Sequence, residues 1–235
     1  MAKKVKLTRE ELKRNELKEY ISEFIVKTKE FWNKYSRQVI YGIIGVVIVY
    51  FLIYGLRTRR ETMELEAFGR YRQAIDLENK GKDVNVIENL EYIIKNYKGT
   101  FVYGQAVLKM ASKFIEKGDP DNAIKILNIG LKSGDLTKDE KIKAEYMMII
   151  AEELNSNDKE KIIQNLIDFI NKYEESSIIS EAKLRLGDLY RETNKVEEAE
   201  KIYQEFVDKG EEAFFYEEAK FRLILLKSQQ LLIEE

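Results

Sequence analysis

The strongest hydrophobic signal in the chain is a run of 18 residues without a charge, from residue 39 to residue 56, preceded by Arg37 and followed by Arg57. At about 1.5 Å per residue, such a helix is about 27 Å long, close to the roughly 30 Å hydrocarbon thickness of a bilayer. A buried core helix rarely runs so far without a polar residue, and no cleavage pattern of a signal peptide follows the run. The pattern therefore predicts one transmembrane helix over residues 39–56.

A second pattern, with a period of about 38 residues, occupies the rest of the chain. Around its repeating positions the apolar residues step by three and four, as on the buried stripe of a helix. A fixed period of roughly 20 to 50 residues is typical of arrays whose units bury their apolar faces against their neighbours. Residues 57–235 are therefore predicted to form a helical array. Small residues mark its period at Ala67, Ala106, Ala144, Ala182 and Ala219, with spacings of 37 to 39 residues.

The repeat is sharper at twice this period, where residues 89–97 match residues 165–173. The pair Met110-Ala111 followed by Phe114 resembles the large-small pair and aromatic residue of the tetratricopeptide repeat, and Leu186-Gly187 repeats the pair. This resemblance implies an all-α fold, a tetratricopeptide-like α-solenoid of about four helical hairpins. We expect a C-terminal capping helix over about residues 213–233, because a terminal repeat must cover the apolar end of the stack.

Local signals predict where two of the helices begin. Asp119 before Pro120 is a capping carboxylate followed by proline at the first helical position, and Thr137 with Glu140 forms a capping box. The third hairpin is ambiguous, because the frame set by the pair Ile150-Ala151 differs by two residues from the frame set by Ala144.

The first 38 residues differ in charge from the rest of the chain, with 11 Lys or Arg against 6 Glu. Apolar residues recur in this segment at helical spacing, from Leu17 to Tyr35. Residues 1–38 are therefore predicted to be a basic amphipathic tail that lies on an anionic cytoplasmic membrane surface and binds membrane lipids. The alternative is a solvated helix that only precedes the anchor.

The predicted orientation places the N-terminus in the cytoplasm. Positive charges close to the run do not decide the matter, because Arg57, Arg59 and Arg60 on one side balance the basic residues on the other. The basic charge of the whole short tail favours an inside N-terminus, and a long folded domain crosses a membrane largely regardless of its charge.

Composition excludes several kinds of chemistry. The chain has no cysteine and no histidine, which removes thiol catalysis, disulfides, histidine acid–base catalysis and ordinary zinc sites. No phosphate-binding loop or catalytic motif is present. We therefore predict a non-enzymatic protein with no cofactor, no metal and no small-molecule substrate. Residues 57–235 carry 29 basic against 36 acidic residues, which disfavours nucleic-acid binding.

A groove lined by the first helix of each hairpin is the predicted binding surface. Its mixed apolar and acidic lining suits an extended, positively charged polypeptide segment. The alternative is that these are ordinary surface residues and that a partner docks on a convex face or at an end of the array. The tetratricopeptide frame assigns to this groove Leu108, Ser112, Ile115, Glu145, Met148, Glu152, Glu181, Leu184, Asp188 and Arg191.

The order of tail, span and array is similar to that of the ancillary subunit family of the bacterial SecYEG translocon. The resemblance rests on residues 19–24, on Phe31-Trp32 before the span and on residues 67–71 at the start of the array. It implies a single-pass protein of the bacterial inner membrane with a periplasmic repeat domain. Its partners would be translocon subunits, periplasmic chaperones and exported polypeptides, which it would help to pass from the channel to folding factors.

Two other interpretations stay open. Residues 169–173, with Ser176 and Ser177, also resemble periplasmic repeat proteins that coordinate envelope assembly and division. These proteins usually lack a basic helical tail and a span. In the second interpretation, the chain has the opposite orientation and its array is a membrane-tethered adaptor in the cytoplasm.

Overall fold

The structure, a computed structural model, describes residues 9–234, and it describes the side chains of residue 14 and residues 16–228. The first eight residues of the predicted tail lie outside this range. The described residues form helices and no strand, which confirms the predicted all-α class. The helices are α1 (Arg9–Glu78), α2 (Asp83–Asn96), α3 (Tyr103–Glu116), α4 (Pro120–Ser133), α5 (Lys138–Asn155), α6 (Lys159–Lys172), α7 (Ile179–Glu192), α8 (Val196–Asp208) and α9 (Tyr216–Glu234).

The chain divides into two units, the first ending at Arg60 and the second beginning at Glu61. In the part of the chain that the structure describes, one helix is long and apolar enough to cross a membrane. The most apolar stretch of 18 residues in this helix is not buried in the protein. The apolar run is thus not a core helix of the array. It is a candidate membrane span, judged by length and composition.

Helix starts in the second unit follow the capping signals of the sequence. The Asp119 carboxylate accepts a hydrogen bond from the Asn122 backbone N–H (3.3 Å), and Pro120 is the first residue of α4. Both hydrogen bonds of the capping box between Thr137 and Glu140 are present at the start of α5. These two predicted helix starts are confirmed. Gly134 ends α4 with a left-handed φ of 76°, a conformation that costs glycine little.

The core of the second unit is a series of four apolar clusters in the described residues. Each is centred on three consecutive helices: α1–α3, α3–α5, α5–α7 and α7–α9. A first helix therefore packs on its own second helix and on the hairpin before it, as expected of a stacked array. The five periodic alanines Ala67, Ala106, Ala144, Ala182 and Ala219 are all 0% exposed.

Two glycines allow second helices to approach closely. A Cβ atom on Gly130 of α4 would lie 2.6 Å from Val107 Cγ1, and one on Gly187 of α7 would lie 2.8 Å from Tyr203 Cε1. Both distances are shorter than a van der Waals contact, so these positions have no room for a side chain. Gly187 is the small residue of the pair that marks the tetratricopeptide pattern.

We expect Gly187→Ala to lower the free energy of unfolding of the array by about 1 to 3 kcal/mol, because the added methyl group overpacks the contact with Tyr203. The matched control is Gly69→Ala in α1, where a Cβ would meet nothing within 4 Å. That substitution should stabilise the helix by about 0.5 to 1 kcal/mol. Urea unfolding of the full chain in detergent, followed by circular dichroism, measures both. Stabilisation by both substitutions would contradict the close approach.

A second prediction concerns how the stability of the array depends on pH. Hydrogen bonds from Lys109 and Lys113 hold the pKa of Glu78 below its usual value. The stabilisation is therefore present above the unfolded pKa and is lost as the pH falls through the lowered folded pKa. We expect Glu78→Gln to cost about 1 kcal/mol at neutral pH and to cost progressively less as the pH falls through the lowered folded pKa of Glu78. Urea unfolding at several pH values tests this, with exposed Asp76→Asn as control. A cost that does not change with pH would contradict the assignment.

Candidate functional site

The first helices of the hairpins leave one side of the array open. Each of α3, α5 and α7 contacts the first helix of the hairpin before it on one side and the first helix of the next hairpin on the other. The side chains between these two contact sides are open, and they recur at spacings of three and four residues along the helix. We call this surface the first-helix face. Its residues are Gln105, Lys109, Ser112 and Glu116 on α3, Lys143, Met147, Ile150 and Leu154 on α5, and Glu181, Arg185 and Glu192 on α7.

Helix α5 contributes the apolar part of the first-helix face. Leu154 is 54% exposed, and Met147 and Ile150 are half-buried. Met147 packs against the same cluster as Leu108 of α3, so the apolar surface continues from α5 to α3. An apolar strip between two charged helices can bind the apolar side chains of an extended segment.

Ion pairs cross the face from one first helix to the next. Lys109 of α3 pairs with Glu78 of α1 (Nζ–Oε2, 2.8 Å). Arg185 of α7 binds Glu153 of α5 with two guanidinium nitrogens. Glu181 of α7 is exposed, lies one helical turn before Arg185, and interacts with the Tyr146 hydroxyl of α5. The ion pairs therefore orient the helices, and Glu181 keeps a carboxylate at the surface.

The predicted residues of α3 lie on the first-helix face or at its edge toward α5. Leu108, Ser112 and Ile115 are half-buried. Ser112 donates a hydrogen bond to Glu116 (3.0 Å). Leu108 packs against the cluster of Ala111, Leu127 and Ala144.

The predicted residues of α5 lie on the opposite side of that helix. Glu145, Met148 and Glu152 line a groove of about 280 Å³ between α4 and α6, which we call the second-helix groove. Its walls include Leu131 of α4 and Asn165, Asp168 and Lys172 of α6.

Polar contacts hold this side of α5 to α6. Glu145 accepts hydrogen bonds from Lys172 Nζ and from the Tyr173 hydroxyl (2.7 Å each), and Glu145 raises the pKa of Lys172. Glu152 accepts a hydrogen bond from Asn165 (3.1 Å). The prediction of Glu145, Met148 and Glu152 rests on the frame set by the pair Ile150-Ala151. The frame set by Ala144 instead places Ile150 on the first-helix face, and the structure agrees with the Ala144 frame.

Of the four predicted residues of α7, one is exposed and three are buried or half-buried. Glu181 lies on the first-helix face. Leu184 and Asp188 are only 6% and 7% exposed, because α9 packs over them. They therefore do not line an open groove. Arg191 is half-buried, with its guanidinium 3.9 Å from Asp188. Whether any of the ten predicted residues contacts a partner stays a prediction.

Asp188 is the centre of a buried polar network. Its Oδ1 atom accepts hydrogen bonds from the Tyr203 hydroxyl of α8 (2.9 Å) and from Arg222 Nε of α9 (2.9 Å). Burial and the nearby Asp188 carboxylate raise the pKa of Tyr203, so the phenol stays protonated and donates. The network ties the capping helix to the last hairpin.

Comparison with protein families agrees with this geometry. A family model described as a tetratricopeptide repeat-like domain matches residues 29–144, and a model of the tetratricopeptide repeat matches residues 181–209. These two segments are similar to tetratricopeptide repeats, as the helical hairpins of the second unit are. The first match begins before the apolar run and therefore includes it. No curated protein matches the chain.

Tetratricopeptide domains are protein-interaction scaffolds and are typically non-catalytic. Among the described residues, no group of three or more acidic side chains could hold a metal ion. A cleft of about 790 Å³ lies between the start of α5 and residues 171–177. Its lining is mainly lysine, acidic and serine side chains.

We expect Asp188→Asn to destabilise the array by about 2 to 4 kcal/mol, because it leaves the partly buried guanidinium of Arg222 without its carboxylate. The matched control is Glu152→Gln in the second-helix groove, which should cost less than about 0.5 kcal/mol at its partly exposed site. Urea unfolding of the full chain in detergent compares them. Equal effects of the two substitutions would contradict a structural role for Asp188.

Proposed function

We propose that this protein is a membrane-anchored scaffold whose first-helix face binds extended segments of other polypeptides. The apolar strip of Met147, Ile150 and Leu154 carries the proposal, because neighbouring helices of the array cover Met147 and Ile150 only in part and leave Leu154 exposed. An extended segment exposes apolar side chains and backbone along its length, and a face built from parallel rows of side chains can hold it without a deep pocket.

The charge of the whole array, and not that of the face, bears on the partner. The first-helix face is balanced, with three basic residues (Lys109, Lys143 and Arg185) and three acidic ones (Glu116, Glu181 and Glu192). Residues 57–235 as a whole are acidic, with 29 basic against 36 acidic residues. The array as a whole would therefore favour a segment that combines apolar residues with Lys or Arg.

The biological setting that we propose is the bacterial inner membrane, with the N-terminus in the cytoplasm and the repeat domain in the periplasm. Support comes from the resemblance in layout to the ancillary SecYEG translocon subunits and from the candidate span before the array. A polypeptide that leaves a translocon is extended and unfolded, which is the form that the first-helix face suits. The protein would then help to pass exported chains to periplasmic chaperones.

Photocrosslinking in intact membranes tests this function. A photoreactive residue is placed at Ser112, Leu154 or Glu181 on the first-helix face, and at Met148 in the second-helix groove as control. We expect the first three positions to capture translocon subunits, chaperones or exported chains, identified by mass spectrometry. Capture only of envelope-assembly proteins would instead favour the envelope scaffold. Capture only of cytoplasmic proteins would show the opposite orientation.

A substitution in the strip tests the contact itself. We expect Leu154→Glu to reduce capture at Glu181 by about tenfold, the effect of about 1.4 kcal/mol, because a charge replaces an exposed apolar contact. The matched control is Ile129→Glu on α4, an exposed aliphatic residue of a second helix that is 38% accessible. Equal capture by both variants would show that the partner binds elsewhere on the array.

A further inference from the structure

The N-terminal part of α1 has an apolar face that no other part of its own unit covers and that lies before the predicted span. From Leu17 to Tyr35 its apolar and aromatic side chains are all exposed, for example Leu17 (64%), Phe24 (68%) and Phe31 (54%). Residues 17–38 extend about 33 Å at about 1.5 Å per residue, all of it before the predicted span. A face of this length in water needs a partner.

The spacing of this face is that of a coiled coil. Apolar or small residues recur after four and three residues alternately, which is a period of 3.5 residues. We call this stripe the heptad seam. Its a positions are Ile21, Thr28 and Tyr35, and its d positions are Leu17, Phe24 and Phe31.

The heptad seam continues into the apolar run in the same register. The next a position is Gly42 and the following d position is Gly45, after Gln38 at the intervening d position. A Cβ atom on either glycine would meet nothing within 4 Å, so this side of the helix is open. Small residues let helices approach closely within a membrane. One stripe therefore serves both the segment before the span and the span itself.

A second helix is a better partner for this segment than a membrane surface is. Helix α1 has no break before residue 78, and no glycine or proline occurs before Gly42. A helix that crosses the bilayer and also lies flat on its surface needs such a break between the two parts. Residues 17–38 also carry three glutamates with five basic residues, so their net charge, and with it their attraction to anionic lipids, is small.

We propose that the heptad seam pairs with the same seam of a second copy of this chain, in a parallel two-helix coiled coil over residues 17–56. Ile21 at an a position with Leu17 at a d position is the combination that favours two strands. The flanking charges favour the parallel arrangement. Lys27 and Lys34 occupy g positions, which face each other in an antiparallel pair and repel. In a parallel pair, Lys27 faces the e position Trp32 of the other copy, where the ring attracts the cation.

The absence of cysteine from the chain makes disulfide scanning a direct test. Single-cysteine variants of the full chain are oxidised in native membranes and analysed on non-reducing gels. The seam variants are Ile21→Cys, Phe24→Cys and Thr28→Cys, and the matched controls at b positions on the opposite side are Ser22→Cys, Lys29→Cys and Ser36→Cys. We expect at least about tenfold more dimer from the seam variants, because only their Cβ atoms come within disulfide distance.

A charge in the seam gives a second readout. Thr28→Glu should lower the dimer yield of Phe24→Cys by about tenfold, and Lys29→Glu should leave it unchanged, because only the first substitution buries like charges. Equal dimer yields from both faces, or no effect of Thr28→Glu, would overturn the proposal. So would quenching of seam-attached fluorophores by headgroup-labelled lipids without dimer, which would assign the face to the membrane surface.

Discussion

The close approach of helices at five buried alanines is the constraint on which the array depends. At each of them, from Ala67 to Ala219, a first helix contacts its neighbours without any exposed surface. A larger side chain would separate the helices and open the clusters on either side. Gly130 and Gly187 extend the same constraint to contacts between first and second helices. Because these positions recur at nearly equal spacing, the hairpins stack in one register, and that register determines which side of the first helices stays open.

Polar contacts between successive first helices use different residues at the α1–α3, α5–α7 and α7–α9 junctions. Glu78 of α1 accepts from lysines of α3, Glu153 of α5 binds Arg185 of α7, and Asp188 of α7 binds Arg222 of α9. Such pairs contribute modestly where they are exposed and more where they are desolvated. The Asp188 network is the most buried of the three, and it lies where the stack ends and the capping helix must be held in place.

The third hairpin shows why candidate binding residues are harder to predict than the fold. Helix α5 is buried on two sides, with Ile142 and Ile149 toward α6 and α7, and Ala144 toward α3 and α4. Two buried sides leave two partly open ones, and a periodic pattern cannot distinguish them. Glu145 and Ile150 look equally suitable in the sequence, yet one lies in the second-helix groove and the other on the first-helix face.

The sequence by itself determined the features that depend on neighbours along the chain. The apolar run reveals a candidate span by its length, the capping residues show where α4 and α5 begin, and the recurring alanines show that helical hairpins stack. Only the tertiary structure decided which side of α5 is open and that α9 covers Leu184 and Asp188. The physical reason is that burial depends on residues that are distant in the sequence. Arg222 is 34 residues from Asp188, and no local pattern brings the two together.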